Sequence, residues 1–197
     1  MVLGVVLCAA HAKAANIVVN PGFELGLSNW TVGNDSWFID TIPHSGSNDI
    51  TTSCAGAGCL DPVNGAFFFQ NLSTVIGQSY DLSFWGFFEG APDEIKVTWG
   101  GVTVVDIVNP AIPDDVYTQF SALNLLATSS TTRLQFFGRS DPGFNAVDDI
   151  SVTQSVPEPS VLVLIGTGLL VIAGYRLRRR PAPILTPDDS RLRSQLD

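Results

Sequence analysis

Polar and apolar residues alternate along five short stretches in the middle of the chain. The alternating stretches are residues 80–85, 95–99, 102–104, 132–136 and 146–152. A period of two predicts β-strands, and in the first stretch Tyr80, Leu82 and Phe84 share the face opposite Trp85. Residues 15–155 show no helical stripe, so we predict an all-β domain there, folded as a β-sandwich.

Glycine pairs and other turn-forming residues separate these stretches. Gly100 and Gly101 stand alone between residues 95–99 and residues 102–104. Two glycines between alternating runs favour a two-residue hairpin, because its turn needs positive φ at both central positions. We therefore predict that these two strands are antiparallel neighbours.

Apolar runs lie at both ends of the chain. Residues 2–10 are apolar and precede Ala12-Lys13-Ala14, so residues 1–14 are predicted to be an export signal peptide with an A-x-A cleavage site. The run is preceded by no lysine or arginine, which suggests that the signal peptide is truncated at its start.

The C-terminal apolar run, residues 161–175, directly precedes the arginine-rich segment 176–180. Fifteen helical residues would span about 22 Å, which is short against a bilayer core of about 30 Å. We predict a short transmembrane helix with the arginines on the cytoplasmic side and the β domain outside. Residues 181–197 are predicted to be a disordered cytoplasmic extension.

The region between the two ends is strongly acidic. It has fifteen acidic residues and three basic ones, Lys96, Arg133 and Arg139, for a net charge of −12. Such a surface repels the phosphates of nucleic acids and attracts cations. Nucleic acid is therefore excluded as a partner.

Cys54 and Cys59 are the two cysteines of this region, and a flexible tetrapeptide, residues 55–58, separates them. In an oxidising export compartment we expect a disulfide between them. A metal site would need further ligands, and no histidine lies near in sequence.

Catalytic residues are not predicted. His44 is the single histidine of the region, and the adjacent Ser45 does not make a nucleophile–base pair by sequence proximity. Nothing in the spacing of the acidic residues selects a glycosidase-like carboxylate pair. We expect a protein that is not an enzyme, with a polysaccharide-active hydrolase as the remote alternative.

Three features of the C-terminal segment occur together: Pro157-Glu158-Pro159, the apolar run and the arginine cluster. Together, residues 156–180 resemble the PEP-CTERM sorting signal of exported bacterial proteins. The resemblance implies an exosortase as partner, a membrane-embedded cysteine transpeptidase-like enzyme that would act near Pro157-Glu158-Pro159 and discard the helix. The alternative is a plain single-pass anchor. Such tails usually stop soon after the arginines, whereas this chain continues for seventeen residues.

The β region resembles a second family through motifs at its start, middle and end. These motifs are Asn20-Pro21-Gly22-Phe23-Glu24 with Leu27 and Trp30, then Gly77, Tyr80, Leu82 and Phe84, and finally residues 147–152. In that order they resemble carbohydrate-binding-module jelly rolls of the galactose-binding type, with Pro21 in place of the usual glycine. The resemblance implies a jelly-roll β-sandwich.

In that family the ends of the chain are clamped by a structural calcium ion. The resemblance implies that Glu24, Asp148 and Asp149 are its ligands here. Oxygen ligands without histidine or thiolate suit calcium. The alternative is that Asp148 and Asp149 face solvent or bond Arg133 or Arg139.

A sugar-binding groove needs exposed aromatic faces and a few polar groups. The candidates are Trp30, Trp85 and Trp99, with Trp37, Phe38, Phe87 and Phe88 as further aromatic residues. We therefore expect an exported cell-envelope or extracellular-matrix protein that binds or organises polysaccharide. The alternative is a structural surface module without sugar affinity, using its acidic face for cation-bridged contacts.

Overall fold

The computed structural model describes residues 14–34 and 36–155, together with Gly168, Gly174 and Tyr175. Ten strands lie in the two longer ranges. They are β1 Thr31–Gly33, β2 Phe38–Asp40, β3 Asp49–Thr52, β4 Phe67–Ser73, β5 Ser79–Phe88, β6 Asp93–Trp99, β7 Val102–Val108, β8 Thr118–Leu126, β9 Thr131–Ser140 and β10 Asn145–Gln154. A single 3₁₀ turn, Ala57–Leu60, is the other regular element in these ranges. The prediction of an all-β domain is confirmed.

The strands form two five-stranded sheets in which all neighbours are antiparallel. Sheet I has the order β1-β4-β9-β6-β7 and sheet II the order β2-β3-β10-β5-β8. Consecutive strands lie in the same sheet only for β2–β3 and β6–β7 among these ten strands, and at every other step the chain crosses to the opposite sheet. The predicted jelly-roll β-sandwich is confirmed, and its core lies between the two sheets.

The core follows the alternation seen in the sequence. Tyr80, Leu82 and Phe84 of β5 are buried, while Trp85 is half-buried on the other face. Phe136 of sheet I stacks on Phe68 at 4.8 Å and meets Phe84 of sheet II edge-on at 5.2 Å. Aromatic rings therefore join the two sheets at the centre of the sandwich.

The Phe67-Phe68-Phe69 run is not uniformly core, although three consecutive phenylalanines suggest it. Phe68 is fully buried, and its two neighbours are half-buried on the outer face of sheet I. Arg133 covers the outer ring of Phe69 at 4.0 Å. Strand alternation thus decides burial even in a continuous apolar run.

The predicted hairpin is confirmed. Trp99 pairs with Val102, and Gly100 and Gly101 have φ of 57° and 87°. Positive φ at both positions explains why glycine occupies them.

The predicted disulfide is present between Cys54 and Cys59, whose Cα atoms are 5.9 Å apart. Backbone bonds anchor both cysteines: Cys54 O accepts from Ser140 N at 2.9 Å, and Cys59 O accepts from Ala66 N at 2.7 Å. Closing so short a loop contributes about 2 kcal/mol in the chain-entropy model. The disulfide therefore stiffens a loop beside β9 rather than holding the sheets together.

The N-terminal segment lies along β10, so the two ends of the domain meet as expected. Ile17 N donates to Val152 O at 2.9 Å, and the Asn16 side chain bonds Ile150 O and Val152 N at 3.0 and 2.8 Å. The segment before Glu24 is not a β-strand. The Asn16 side chain makes hydrogen bonds to β10 that the backbone of a paired strand would otherwise make. A turn at Pro21 follows.

The predicted signal peptide and the predicted extension at 181–197 lie outside the described residues, apart from Ala14. Within the 161–175 segment, Gly168, Gly174 and Tyr175 are helical. In the part of the chain that the structure describes, no helix has both the length and the apolar character needed to cross a membrane.

Candidate functional site

A groove crosses the outer face of sheet II. The pairing register places Phe38, Thr51, Ala146 and Phe87 side by side across β2, β3, β10 and β5. Ala146 and Thr51 are small, so they form a floor between larger neighbours. The groove has a volume of about 180 Å³. Its lining residues are Asp40, Ile42, Asp49, Thr51, Phe87, Glu89, Tyr117, Phe144 and Ala146.

Aromatic rings form walls of the groove. The rings of Phe87 and Tyr117 are 5.3 Å apart, and Phe144 is 43% exposed. Phe38, equally exposed, meets Phe144 edge-on at 6.5 Å. Exposed aromatic faces beside a small-residue floor are suited to packing against the apolar face of a sugar ring.

Asp49 provides a polar group at the groove. Its side chain is only 1% exposed, yet Oδ1 has no hydrogen-bond partner within the described part of the chain. Oδ2 accepts hydrogen bonds from the hydroxyls of Tyr117 at 2.7 Å and Thr51 at 3.3 Å. Burial raises the pKa of Asp49, and the charge of its cross-strand neighbour Asp40 adds to that rise. The backbone N–H of Ile42 lies close enough to this carboxylate to lower its pKa, and the acceptor that stays unpaired borders the groove.

Tyr117 is held as a hydrogen-bond donor. Burial and the adjacent Asp49 carboxylate raise the pKa of its hydroxyl, which stays protonated at physiological pH. The Tyr117–Asp49 bond therefore keeps the ring in place beside Phe87.

Two of the three candidate tryptophans belong to the core. Trp30 is 7% exposed, packs between Phe23 and Phe68, and donates its Nε1 hydrogen to Asn20 O at 3.0 Å. Trp99 is 5% exposed and donates to Leu126 O at 3.0 Å. Both rings are therefore core residues, and their predicted role in ligand binding stays a prediction.

Trp99 forms one wall of a larger cavity of about 410 Å³ between β7 and β8. The remaining lining consists of glycine, aliphatic, hydroxyl and amide residues. With one aromatic ring that is almost fully buried, this cavity is less suited to sugar stacking than the groove.

Trp85 lies on the outer face of sheet II, as predicted, but one side of its ring is covered. His44 stacks on it with ring centroids 3.7 Å apart and an interplanar angle of 12°. Of the further aromatic residues that the sequence analysis named, Phe87 and Phe38 lie at the groove, whereas Trp37 and Phe88 are buried in the core. Sequence reasoning missed Tyr117, Phe144 and Asp49, since Tyr117 and Phe144 lie outside the strands and a single Asp at a strand start has no distinguishing pattern.

The predicted metal ligands gather around one loop, residues 44–48. Asp148 is fully buried, and its carboxylate accepts hydrogen bonds from Ser45 N at 3.0 Å and Asp149 N at 2.7 Å. Asp149 Oδ1 accepts from the Ser45 hydroxyl at 2.9 Å. Glu24 binds the other end of the loop, where Ser47 N and Asn48 N donate to Oε1 at 2.8 and 3.2 Å. We call Glu24, Asp148 and Asp149 the acidic clamp.

His44 is an unexpected member of this site. Its Nδ1 lies 2.7 Å from Asp149 Oδ2. Ligand atoms of His44, Asp148 and Asp149 lie within 4.8 Å of one another, so these three residues form a potential cation site. Sequence reasoning treated His44 as an isolated surface residue, because 105 positions separate it from Asp149.

The alternative partners that we considered for Asp148 and Asp149 are occupied elsewhere. Arg139 pairs with Asp141 at 2.6 Å, and Arg133 lies over Phe69. Burial raises the pKa of Asp148 to about 6. Gly22 lies against both carboxylates, since a Cβ there would be 3.4 Å from an oxygen of each. The oxygen-rich donor set fits a calcium ion, with His44 as the departure from an all-oxygen site.

The geometry of this domain is shared with known carbohydrate-binding modules. TmCBM61, solved with β-1,4-galactotriose, superimposes with a TM-score of 0.57 and 16% identity over 72% of this chain and all of that chain. The CBM22-1 xylan-binding domain of Paenibacillus barcinonensis Xyn10C gives a TM-score of 0.52 and 14% identity over 74% of this chain and 97% of that one. At these identities the similarity establishes the fold alone.

The same fold occurs in an adhesin. The K3 adhesin domain of Lys-gingipain from Porphyromonas gingivalis W83 has a TM-score of 0.52 and 14% identity, over 72% of this chain and 98% of that domain. No curated protein sequence matches the chain significantly.

The C-terminal segment matches the PEP-CTERM protein-sorting motif over residues 155–180. The predicted resemblance is confirmed on the residues that carried it, Pro157-Glu158-Pro159 among them. The chain thus combines a PEP-CTERM sorting signal, which implies export, with a jelly roll of the carbohydrate-binding-module type.

Proposed function

We propose that the β-sandwich binds polysaccharide of the cell envelope or extracellular matrix in the groove on sheet II. The arrangement of Phe87, Tyr117 and Asp49 carries this proposal. The rings provide stacking surfaces, and the unpartnered Asp49 oxygen accepts a hydrogen bond from a sugar hydroxyl.

The preferred polysaccharide is uncharged. Asp40, Asp49 and Glu89 line the groove of a domain with a net charge of −12, so an acidic sugar would meet repulsion. Galactan and xylan are suitable first probes, since TmCBM61 was solved with β-1,4-galactotriose and the Paenibacillus domain is described as xylan-binding. We propose binding without catalysis.

Affinity electrophoresis of the purified full chain through gels containing galactan, xylan or polygalacturonate tests this function. A neutral gel should retard the chain, and polygalacturonate should not. Phe87→Ala should abolish the retardation, because losing one stacking ring costs about 1–3 kcal/mol by analogy with base stacking. The matched control is Phe69→Ala, which removes a half-buried ring from the outer face of the opposite sheet.

Equal loss of retardation in Phe87→Ala and Phe69→Ala would contradict a binding site in the groove. If no neutral polysaccharide retards the chain, the structural surface module becomes the better description. Release of reducing ends from the same polymers would show that the protein is a hydrolase.

We further propose that an exosortase recognises the PEP-CTERM segment and releases the β-sandwich toward the cell surface. The match over residues 155–180 supports this step. The sandwich ends at Ser155, whose backbone N donates to Ser79 O at 2.8 Å, so the motif follows the domain directly.

For the acidic clamp we propose a structural calcium ion held by Glu24, Asp148 and Asp149. The ion would neutralise carboxylates in an acidic domain and tie the N-terminal turn and the 44–48 loop to β10. The buried Asp148 side chain and the oxygen-rich surroundings support this proposal.

A further inference from the structure

A second group of buried polar side chains lies at the end of the sandwich near the β5–β6 and β9–β10 loops. Asp93 begins β6, and Ser140 ends β9 directly opposite it in sheet I. Both side chains are buried, while the adjacent Glu94 and Arg139 are half-buried on the other face. Asp93 and Ser140 therefore point together into the space between the sheets.

Asn145 reaches the same place from sheet II. It is fully buried at the start of β10, and its Nδ2 donates to Glu94 O at 3.2 Å and to Arg139 O at 2.6 Å. Those carbonyls belong to the residues next to Asp93 and Ser140. Because both contacts are to carbonyl oxygens, the amide orientation is determined and Oδ1 remains an acceptor.

Three oxygens of this group form no hydrogen bond of standard geometry within the described residues, although the Ser140 hydroxyl lies close enough to the Asp93 carboxylate to lower its pKa. They are Asp93 Oδ1, Ser140 Oγ and Asn145 Oδ1. Buried oxygens of this kind are seldom left unsatisfied in native proteins, and several together indicate a bound ion or water. The other Asp93 oxygen, Oδ2, accepts from Gly90 N at 2.9 Å, which holds the carboxylate in place.

Glu89 approaches this group across Gly143. A Cβ at Gly143 would lie 3.2 Å from Ser140 Oγ and 3.3 Å from Glu89 Oε2. Both oxygens thus border one small space that the absence of a side chain at position 143 keeps open. Glu89 also lines the groove, so this space lies at its edge.

The charges around this group are negative. Burial raises the pKa of Asp93, and the nearby Asp114 and Glu89 carboxylates raise it further. The basic side chains of the domain are engaged elsewhere: Arg139 with Asp141, Lys96 with Leu60 O and Arg133 over Phe69. A divalent cation would supply the missing positive charge.

We propose that Asp93, Ser140 and Asn145, with Glu89 at the rim, form a second calcium site, separate from the acidic clamp. Carboxylate, hydroxyl and amide oxygens are the ligands that calcium prefers. The ion would link β6 and β9 of sheet I to β10 of sheet II and to the β5–β6 loop.

Calorimetric titration with calcium tests the proposal on the purified, metal-depleted full chain in detergent. Asp149→Asn is introduced first, so that the acidic clamp is disabled. This chain should still bind one calcium ion. Adding Asp93→Asn should weaken that binding by more than roughly 10–100-fold. A loss of that size is typical of removing a residue that only hydrogen-bonds a metal ligand, whereas Asp93 would bind the ion directly.

Asp114→Asn is the charge-matched control. Asp114 is exposed in the neighbouring loop, so its loss should change the affinity by less than about threefold because exposed charges are screened. Ser140→Ala leaves the charge unchanged and removes the hydroxyl that faces Asp93 across the sheet. It should lower calcium affinity.

Failure of the Asp149→Asn chain to bind calcium would overturn the proposal and assign the three oxygens to buried water. Equal effects of Asp93→Asn and Asp114→Asn would also overturn it, as would unchanged affinity in Ser140→Ala. Sugar binding is measured separately by electrophoresis, so the outcome of the calcium titration does not decide whether the domain binds polysaccharide.

Discussion

Asp49 illustrates a conflict between stability and binding at the scale of one residue. Its carboxylate is buried beside Asp40, with one oxygen unbonded by the described residues. Burial disfavours the ionised form and leaving an acceptor unpaired costs free energy, so this position is unfavourable for folding alone. Such a residue is retained most readily where a ligand uses it.

Asp49→Asn should therefore raise the free energy of unfolding at pH 7, by on the order of 1 kcal/mol, because the amide has no charge to bury. Because the folded-state pKa of Asp49 is raised, the unfolded chain loses its proton first as the pH increases. The wild-type penalty thus develops above the unfolded pKa of about 3.9 and is complete above the folded pKa. Urea unfolding at pH 7 and pH 3 should show the gain only at pH 7.

Asp61→Asn provides a contrast of opposite sign. Hydrogen bonds from Asn64 N and Val63 N lower the pKa of Asp61, so its loss should reduce stability at pH 7. Neutral-sugar retardation should fall in Asp49→Asn and persist in Asp61→Asn. A loss of stability in Asp49→Asn at both pH values would contradict this account of the buried carboxylate.

At the scale of elements, β10 organises the acidic clamp. The pairing of β10 with β5 is irregular between Asp148 and Ser151, and Asp149 there has a φ of 49°. This irregularity turns two consecutive carboxylates toward the same loop, which regular strand alternation would prevent. The clamp joins three segments that are remote in sequence, namely the N-terminal turn, the 44–48 loop and β10.

Chelation should lower the melting temperature of the full chain if the clamp holds calcium. An ion that binds only the folded state stabilises it by about 2.7 kcal/mol at a hundred times its dissociation constant. Asp93→Asn is introduced first to disable the proposed second calcium site. In that background, adding either Glu24→Gln or Asp149→Asn should abolish the remaining sensitivity of the melting temperature to chelator. Asp106→Asn, an exposed acid on β7, serves as the control and should keep it. Identical melting curves with and without chelator would show that the clamp holds no structural metal.

At the scale of the whole molecule, the acidic sandwich directly precedes its sorting signal. Residues 15–155 carry the net charge of −12, and the motif spans residues 155–180 with its arginine cluster at the end. This order of segments would place the acidic domain outside the membrane and the arginines inside.

We predict that the surface-exposed protein lacks the residues after about Ser160, because cleavage near Pro157-Glu158-Pro159 would remove them. Mass spectrometry of protein released from the surface of the producing cell checks this. Glu158→Ala should retain the C-terminal peptides in the membrane fraction, whereas Glu89→Ala should be processed normally. Peptides from residues 181–197 still joined to the surface form would favour a plain anchor.

Features that depend on neighbouring residues could be predicted from sequence by itself. Alternation located β5, β6, β7, β9 and β10, the glycine pair located one hairpin, and the short cysteine spacing located the disulfide. The sorting motif is linear, so its order of residues was sufficient. The family motifs named Glu24, Asp148 and Asp149 as metal ligands, which stays a prediction. In the structure all three contact the 44–48 loop, and His44 rather than Glu24 lies with the two aspartates.

Only the tertiary structure determined which side chains form the groove and which become core. Trp30 and Trp99 have the residue type of a sugar platform, yet packing against Phe23, Phe68 and Tyr80 buries both. The groove unites Asp49, Phe87 and Tyr117 from separate segments, and the second cation site unites two sheets. A local pattern of polarity indicates which face of a strand is buried, but it does not identify the strand that pairs with it far away in the sequence, and these contacts depend on that pairing.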